Sequence, residues 1–164
     1  MKKIIPLPPG SRLGVCAPSA RFDIEKLNLG IQTLETLGFK VSVPDEIFKK
    51  KRYLAGNDRV RANVVNRFFS DPAIDGIICA RGGFGAVRIL DYMDWDNIRE
   101  NPKPFIGFSD TTAILSAIID ITGNFVVHGP NVVSFAGALK ETIDAFSKAL
   151  NGTLDKIVLN KGRV

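Results

Sequence analysis

The chain is poor in the side chains that hold metals and disulfides: among 164 residues there is one histidine and there are two cysteines. A zinc-type site needs a cluster of such ligands, so none is expected. A disulfide scaffold would be dense in cysteine, so that is excluded too. Cys16 and Cys79 each sit in an apolar run, LGVCAP and GIICA, and read as reduced, buried small hydrophobes. No apolar run reaches the ~20 residues of a membrane span. The longest, Ile114 to Ile121, is broken by Ser116 and Asp120. The opening MKKIIPLPPG lacks the apolar segment, about 7–15 residues long, of a secretory signal. The expectation is a cytoplasmic protein without membrane contact. Repeats and low-complexity tracts are absent, and the 15 glycines follow no period, which excludes a collagen-like chain.

What is present is globular: 45% hydrophobic and 24% charged residues, enough apolar surface to reject disorder. The net charge of +5 is mild. Its densest patch, Lys49-Lys50-Lys51-Arg52, is not interleaved with aromatics and joins no DNA-binding pattern. It reads as a solvated loop, and no nucleic-acid partner is expected.

Strand-like runs alternate with helical patterns, the signature of a parallel sheet covered by helices. Arg12 to Ala17 reads as the first strand. Asp23 caps a helix with Ile24, Leu27, Ile31 and Leu34 at helical spacing, and Gly38 stops it. Phe39 to Val43 is a second strand, and 45–56 a loop. Asn57 or Asp58 starts a helix with Val60, Val64 and Phe68 on one face. Ile74 to Ala80 is a third strand, nearly all apolar and so buried on both faces. A glycine turn, Arg81-Gly82-Gly83-Phe84-Gly85, leads into a helix through about Leu90. Pro104 to Phe108 is a fourth strand. Asp110 to Ile121 is a helix with Ile114, Leu115, Ile118 and Ile119 inward. Asn124 to Val127 is a short fifth strand, and Glu141 to Leu150 a last helix stopped by Gly152. The expected fold class is α/β: a mostly parallel sheet of about five strands, with helices on both faces. Ligands of such sheets bind beyond the carboxyl ends of the strands. Those ends carry Pro18-Ser19, Arg81-Gly82-Gly83 and Ser109-Asp110.

PFIGFSDTTAIL drives a buried strand straight into a helix with Ser109 at the junction. A sharp turn there exposes the hydroxyl at the sheet's edge as a nucleophile elbow does. The first N–H groups of the helix lack intrahelical acceptors and can stabilise an oxyanion. The pattern is Gly107-x-Ser109-x-Thr111 rather than G-x-S-x-G, and Ser109 or Asp110 also reads as a plain helix cap. In the glycine turn, the backbone can approach a ligand unobstructed, as a second oxyanion donor or a phosphate cradle. The turn is not G-x-G-x-x-G and has no Walker lysine, so it offers no nucleotide fingerprint. His128, in HGP, reads as a positioned histidine rather than as the base for Ser109. The groups Asp71/Asp75 and Asp91/Asp94/Asp96 read as caps and solvated turns.

Five segments in order, GVCAPS, YLAGNDRVRA, DGIICARGGFGAVRIL, KPFIGFSDTTAIL and HGPN, resemble the LD-carboxypeptidases, a family that includes microcin-immunity hydrolases. The resemblance runs from about Leu13 to Pro130 and implies a flavodoxin-like N-terminal domain. It implies that Ser109 is the nucleophile, with the backbone N–H groups of Asp110 and Gly83 as the oxyanion hole. It implies hydrolysis of the amide between a diamino acid's L-centre and a terminal D-alanine in murein tetrapeptide, during cytoplasmic peptidoglycan recycling. No metal or cofactor is implied. Gly82 and Arg81 are candidates for substrate binding, Arg81 by charge alone. The family's base is a histidine oriented by a glutamate, both in a C-terminal domain. Members are roughly twice as long, so residues 1–155 are expected to be the nucleophile-bearing domain. Residues 156–164 are expected to open a linker to a C-terminal domain absent from this chain. His128 matches a structural HGP position, so the 164 residues alone are expected to be nearly inactive. A face left uncovered favours a homodimer or a pocket with disordered rims. Two other readings stay open: a non-covalent small-ligand or phosphate-binding module, and a microcin-type acyl-adenylate amide hydrolase.

Overall fold

Among the described residues five strands, all parallel, form one sheet: β1 (Arg12–Cys16), β2 (Lys40–Ser42), β3 (Gly76–Cys79), β4 (Phe105–Gly107) and β5 (Val126–His128), in the order β2-β1-β3-β4-β5. This is the flavodoxin-like order. A computed structural model gives the protein over residues 5–154. The expected linker at 156–164 and the apolar-polar alternation from Lys156 to Asn160 lie outside the described residues. The helices are α1 (Ile24–Thr36), α2 (Asp58–Ser70), α3 (Trp95–Glu100), α4 (Thr112–Thr122) and α5 (Lys140–Leu150).

A parallel sheet buries both faces, and the strands show it: Leu13, Val15, Ile77, Ile78, Phe105 and Ile106 are all fully buried. Helix α2 turns Val64, Val65, Phe68 and Phe69 toward this layer, and Phe69 stacks on Phe105 with ring centroids 6.2 Å apart. Each such side chain contributes about 1.5–3 kcal/mol by leaving water. Gly14 lets α2 come close, since a Cβ there would lie 2.8 Å from the Phe68 ring. On α1, a Cβ at Gly30 would lie 2.0 Å from the Val132 carbonyl oxygen, so only glycine allows α1 to meet the 3-10 turn Val132–Phe135. Cys16 and Cys79 face each other across β1 and β3, both free and buried, with sulfurs 3.9 Å apart. Burial pushes the Cys16 thiol well above its usual range.

The caps follow the sequence. The Asp23 carboxylate accepts from Lys26 N–H (3.0 Å), and the Asn57 side chain accepts from Val60 N–H (2.9 Å). Gly38 takes φ +90° just past α1. Four details differ from expectation. The segment after the glycine turn is a 3-10 turn, Val87–Tyr92, rather than an α-helix. Helix α3 was not expected, because six residues are too few to show a helical period, although Asp94, read as a cap or turn residue, does cap it. Within the 45–56 loop, Asp45–Phe48 is a 3-10 turn. Ile119 is 48% exposed rather than inward; Ile114, Leu115 and Ile118, with Thr122, fill the buried face of α4.

Candidate active site

Strand β1 is flanked by β2 on one side and β3 on the other, so the strand order reverses between β1 and β3, the switch point beyond whose carboxyl ends ligands of such sheets bind. Ser19 lies in the first loop and Gly82-Gly83 in the second. Ser109 arrives from the end of β4, the next strand over.

Ser109 is one of two non-glycine residues with positive φ among the described residues, at +66°. An L-residue there carries a strain on the order of 1 kcal/mol. The extended Phe108 before it (φ −154°) and the helical turn Ser109–Thr111 after it make the sharp strand-to-helix bend. Ser109 is exposed, while β4 behind it is buried. The bend is tied down on its inner side. Thr111 Oγ1 donates to the Phe108 carbonyl at 2.9 Å. The buried Asn131 faces the Phe108 backbone through both ends of its amide, at 3.4 and 3.5 Å.

The glycine turn closes on this bend. A Cβ at Gly82 would sit 2.9 Å from Ser109 Cβ and 3.1 Å from its Oγ, so glycine lets the turn lie directly against the serine. Gly83, at φ +116°, abuts Ala20 of the β1 loop. Asp110 then clasps all three loops. Its Oδ2 accepts from Ser19 Oγ at 2.6 Å and from Ala86 N–H at 2.8 Å. The carboxylate holds the corner together while its backbone sits in the first turn of the helix, where N–H groups lack intrahelical acceptors.

Beneath the clasp lies Arg61, 2% exposed. Its Nη1 donates to the carbonyls of Pro18 and Gly85, and its Nη2 pairs with Asp58. Asp58 is also held by Arg88 at 2.8 Å. The hydrogen bond from Arg88, then that from Arg61, holds the Asp58 carboxyl below its usual range against its partial burial. One arginine thus fixes the loop that carries Ser19 and the turn that carries Gly82 and Gly83.

Ser109, Asp110, Gly82 and Gly83 therefore come together. Arg81 is turned aside: its Nη1 donates to the Arg21 carbonyl at 2.8 Å, and it lines a neighbouring cleft of about 730 Å³ with Ala20, Gly83 and Phe84. His128, exposed on β5 opposite Gly107, lines a different cleft beside Glu141. Sequence reasoning assigned no role to Ser19, Arg61 or Asn131. All three lie in segments already singled out, GVCAPS, YLAGNDRVRA and HGPN. No helix among the described residues is long and apolar enough to cross a membrane.

Comparison with known proteins places the chain in a family. Residues 13–129 match the family described as the LD-carboxypeptidase N-terminal domain of peptidase S66. A Bacillus subtilis protein named "Probable murein peptide carboxypeptidase" is 38% identical over 121 residues, 74% of this chain and 38% of its own length. The murein tetrapeptide carboxypeptidase of Pseudomonas aeruginosa is 32% identical over 124 residues, 75% of this chain and 40% of its own. The microcin C7 self-immunity protein MccF of Escherichia coli is 32% identical over 142 residues, 85% of this chain and 41% of its own. A solved structure of MccF in the wild-type apo state superposes with a TM-score of 0.85 at 31% identity, over 90% of this chain and 46% of that one. The chain thus spans about two-fifths of the length of these curated relatives.

Proposed function

The chain belongs to the LD-carboxypeptidase family through that family's N-terminal domain, and from this premise we propose that Ser109 is the nucleophile of a serine carboxypeptidase acting on murein tetrapeptide. The observation that carries the reading is the strained, exposed Ser109 pressed against Gly82 at the carboxyl edge of the sheet.

In the proposed reaction Ser109 Oγ attacks the carbonyl of the diamino acid, and its proton passes to a histidine held by a glutamate in a C-terminal domain. The carbonyl electrons move onto oxygen, where the N–H groups of Asp110 and Gly83 receive the charge. Collapse breaks the amide, and the histidine returns the proton to the departing amine of D-alanine. Water, deprotonated by the same histidine, then attacks the ester and restores the serine hydroxyl. Asp110 serves through its backbone at this step and through its carboxylate as the clasp on Ser19 and Ala86. In this proposal Gly82 belongs to the substrate side of the corner, and Arg81, turned into the neighbouring cleft, to a more distant part of the substrate. The proposal includes a cytoplasmic setting in peptidoglycan recycling and a homodimer, which light scattering tests.

The decisive experiment measures D-alanine release from the tetrapeptide by residues 1–164 alone and by the same chain joined to a C-terminal domain from a relative. Release only in the joined protein, abolished by Ser109→Ala, is the expected result. Release that survives Ser109→Ala defeats the assignment. A second reading has a specific observation behind it, the TM-score of 0.85 to MccF. Cleavage of an aminoacyl sulfamoyl adenosine in preference to the tetrapeptide selects that reading.

A further inference from the structure

The cleft of about 730 Å³ has an unusual balance of charge. It is lined by four cations, Arg21, Lys49, Lys50 and Arg81, and by one carboxylate, Asp23. Asp23 is already engaged as the cap of α1, accepting from Lys26 N–H at 3.0 Å. None of the four cations takes part in an ion pair within 4.0 Å among the described residues. Glu46, on the same loop as Lys49 and Lys50, is turned to Arg67 at 2.7 Å, and Lys49 is only a weaker, non-bonded neighbour of its carboxylate. Several like charges lining one concave surface raise the local concentration of anions.

The other walls are aromatic. Phe22 and Phe48 meet edge to face with centroids 5.8 Å apart, and Tyr53 and Phe84 lie 6.1 Å apart. Three of these rings are unusually open for aromatics: Phe48 is 40% exposed, Tyr53 45% and Phe84 58%. Unpaired cations beside open rings suit a ligand with both carboxylates and aliphatic stems.

The cleft is also fixed to the serine corner. It shares Ala20 and Gly83 with that corner. Its outer loop is pinned to the β1 loop by a bridge between Ala20 and Leu54, by Arg21 N–H to the Tyr53 carbonyl (2.8 Å) and by Ala55 N–H to the Ser19 carbonyl (3.1 Å). The backbone that carries the cations is therefore tied to the loop beside the serine corner.

We propose that this cleft binds the acidic, non-scissile part of a peptide substrate, with Lys49 and Lys50 selecting for its free carboxylates. The proposal rests on the carboxypeptidase reading and adds a residue pair that determines specificity.

The test uses this chain with Ser109→Ala, so that nothing turns over. The probe is a tetrapeptide ending in a diaminoacyl-D-alanine, with a free side-chain carboxylate at its second residue. The control is the same peptide with that group as an amide. Calorimetric titration at low salt is expected to show the acid bound about tenfold tighter than the amide, and the ratio to fall as salt rises. Lys49→Gln with Lys50→Gln is expected to erase the ratio by weakening the acid about tenfold more than the amide. Both lysines are exposed, so far-ultraviolet dichroism is expected to show the fold retained. Equal affinity for the two peptides, no binding of either, or a ratio that survives the double substitution overturns the proposal. Stronger, lysine-dependent binding of adenosine monophosphate also overturns it, reassigning the cleft to phosphate. Ser109-dependent D-alanine release by the joined protein, with no lysine-dependent preference, removes this subsite alone. A lysine-dependent preference without any Ser109-dependent release removes the peptidase reading alone.

Discussion

Replacing Arg61 with methionine isolates what holds the site's loops together. The substitution keeps an unbranched side chain but removes donors to the carbonyls of Pro18 and Gly85 and to Asp58. The consequences are unequal. Asp58 keeps Arg88 at 2.8 Å, so its charge is not orphaned. The Gly85 carbonyl keeps the Arg88 backbone N–H at 3.3 Å. The Pro18 carbonyl loses the hydrogen bond from Arg61, and a buried acceptor without a donor costs about 1–3 kcal/mol. Adding about 1 kcal/mol for the weakened partners gives a gross loss of roughly 2–4 kcal/mol. Against this, Arg61 is buried with Nε unpartnered among the described residues. Replacing such a desolvated cation with an apolar chain can return about 1 kcal/mol or more. The net expectation is a destabilisation of about 2 kcal/mol, which for a chain of this size lowers Tm by roughly 4–8 °C. Thermal unfolding by circular dichroism reads the shift. Hydrogen exchange at Ala86 N–H, which rests on Asp110, reads the loosening of the corner. Arg61→Lys, which can reach only part of this set, is expected to fall between the two. An unchanged or raised Tm for Arg61→Met, with Ala86 exchange as slow as before, refutes the argument that the loops hang on this guanidinium.

Three further outcomes are expected. Ser109→Gly removes the left-handed strain and is expected to raise chemical stability by about 1 kcal/mol, less the entropy glycine loses on folding; a midpoint lower than that of Ser109→Ala contradicts the strain. Because the Asp58 carboxyl is held below its unfolded value near ~3.9, its contribution is present above that pH and lost as pH falls through the lower folded value. The stability deficit of Asp58→Asn at pH 7 is therefore expected to shrink below about pH 4, and a deficit constant down to pH 2 would sink this linkage. Gly30→Ala gains up to about 1 kcal/mol of helix propensity, yet places a carbon 2.0 Å from the Val132 carbonyl oxygen. The overlap with rigid backbone wins, so urea titration is expected to show a loss on the order of 3 kcal/mol, and a stabilised variant would mean that α1 is free to shift.

The fold was legible wherever one physical requirement dominated a stretch of residues. Burial on both faces makes β3 almost wholly apolar, and unpaired N–H groups call for Asp23 and Asn57 at helix starts. The readings failed where two requirements meet in few residues. After Gly85 the chain must satisfy Asp110 through Ala86 N–H and Arg61 through the Gly85 carbonyl, and the segment tightens into a 3-10 turn. Helix α4 is apolar on more than one side, so its sequence could not say that Ile119 faces out. The contact of Gly30 with Val132 joins parts of the chain that no local pattern connects.

The site divides along the same line. Ser109 was visible because a strand running into a helix is a local event, and its +66° φ is the local consequence. The loop of Ser19 was named, but its bond to the Asp110 carboxylate was not, because that contact exists only once the sheet order brings the ends of β1, β3 and β4 side by side. Arg61 is the instructive case, for its signal was present. It lies three, four and seven residues before Val64, Val65 and Phe68, on the stripe of α2 that faces the core. A guanidinium on an inward stripe must find acceptors, since burying it unpaired would cost several kcal/mol. In a parallel α/β domain the unpaired carbonyls within its reach are those of loops beyond the strand ends, where ligands bind. An arginine interrupting the apolar face of a crossover helix is therefore a pointer to the site's scaffold, readable before any coordinates. Here it leads to Pro18 and Gly85, the two loops that frame Ser109.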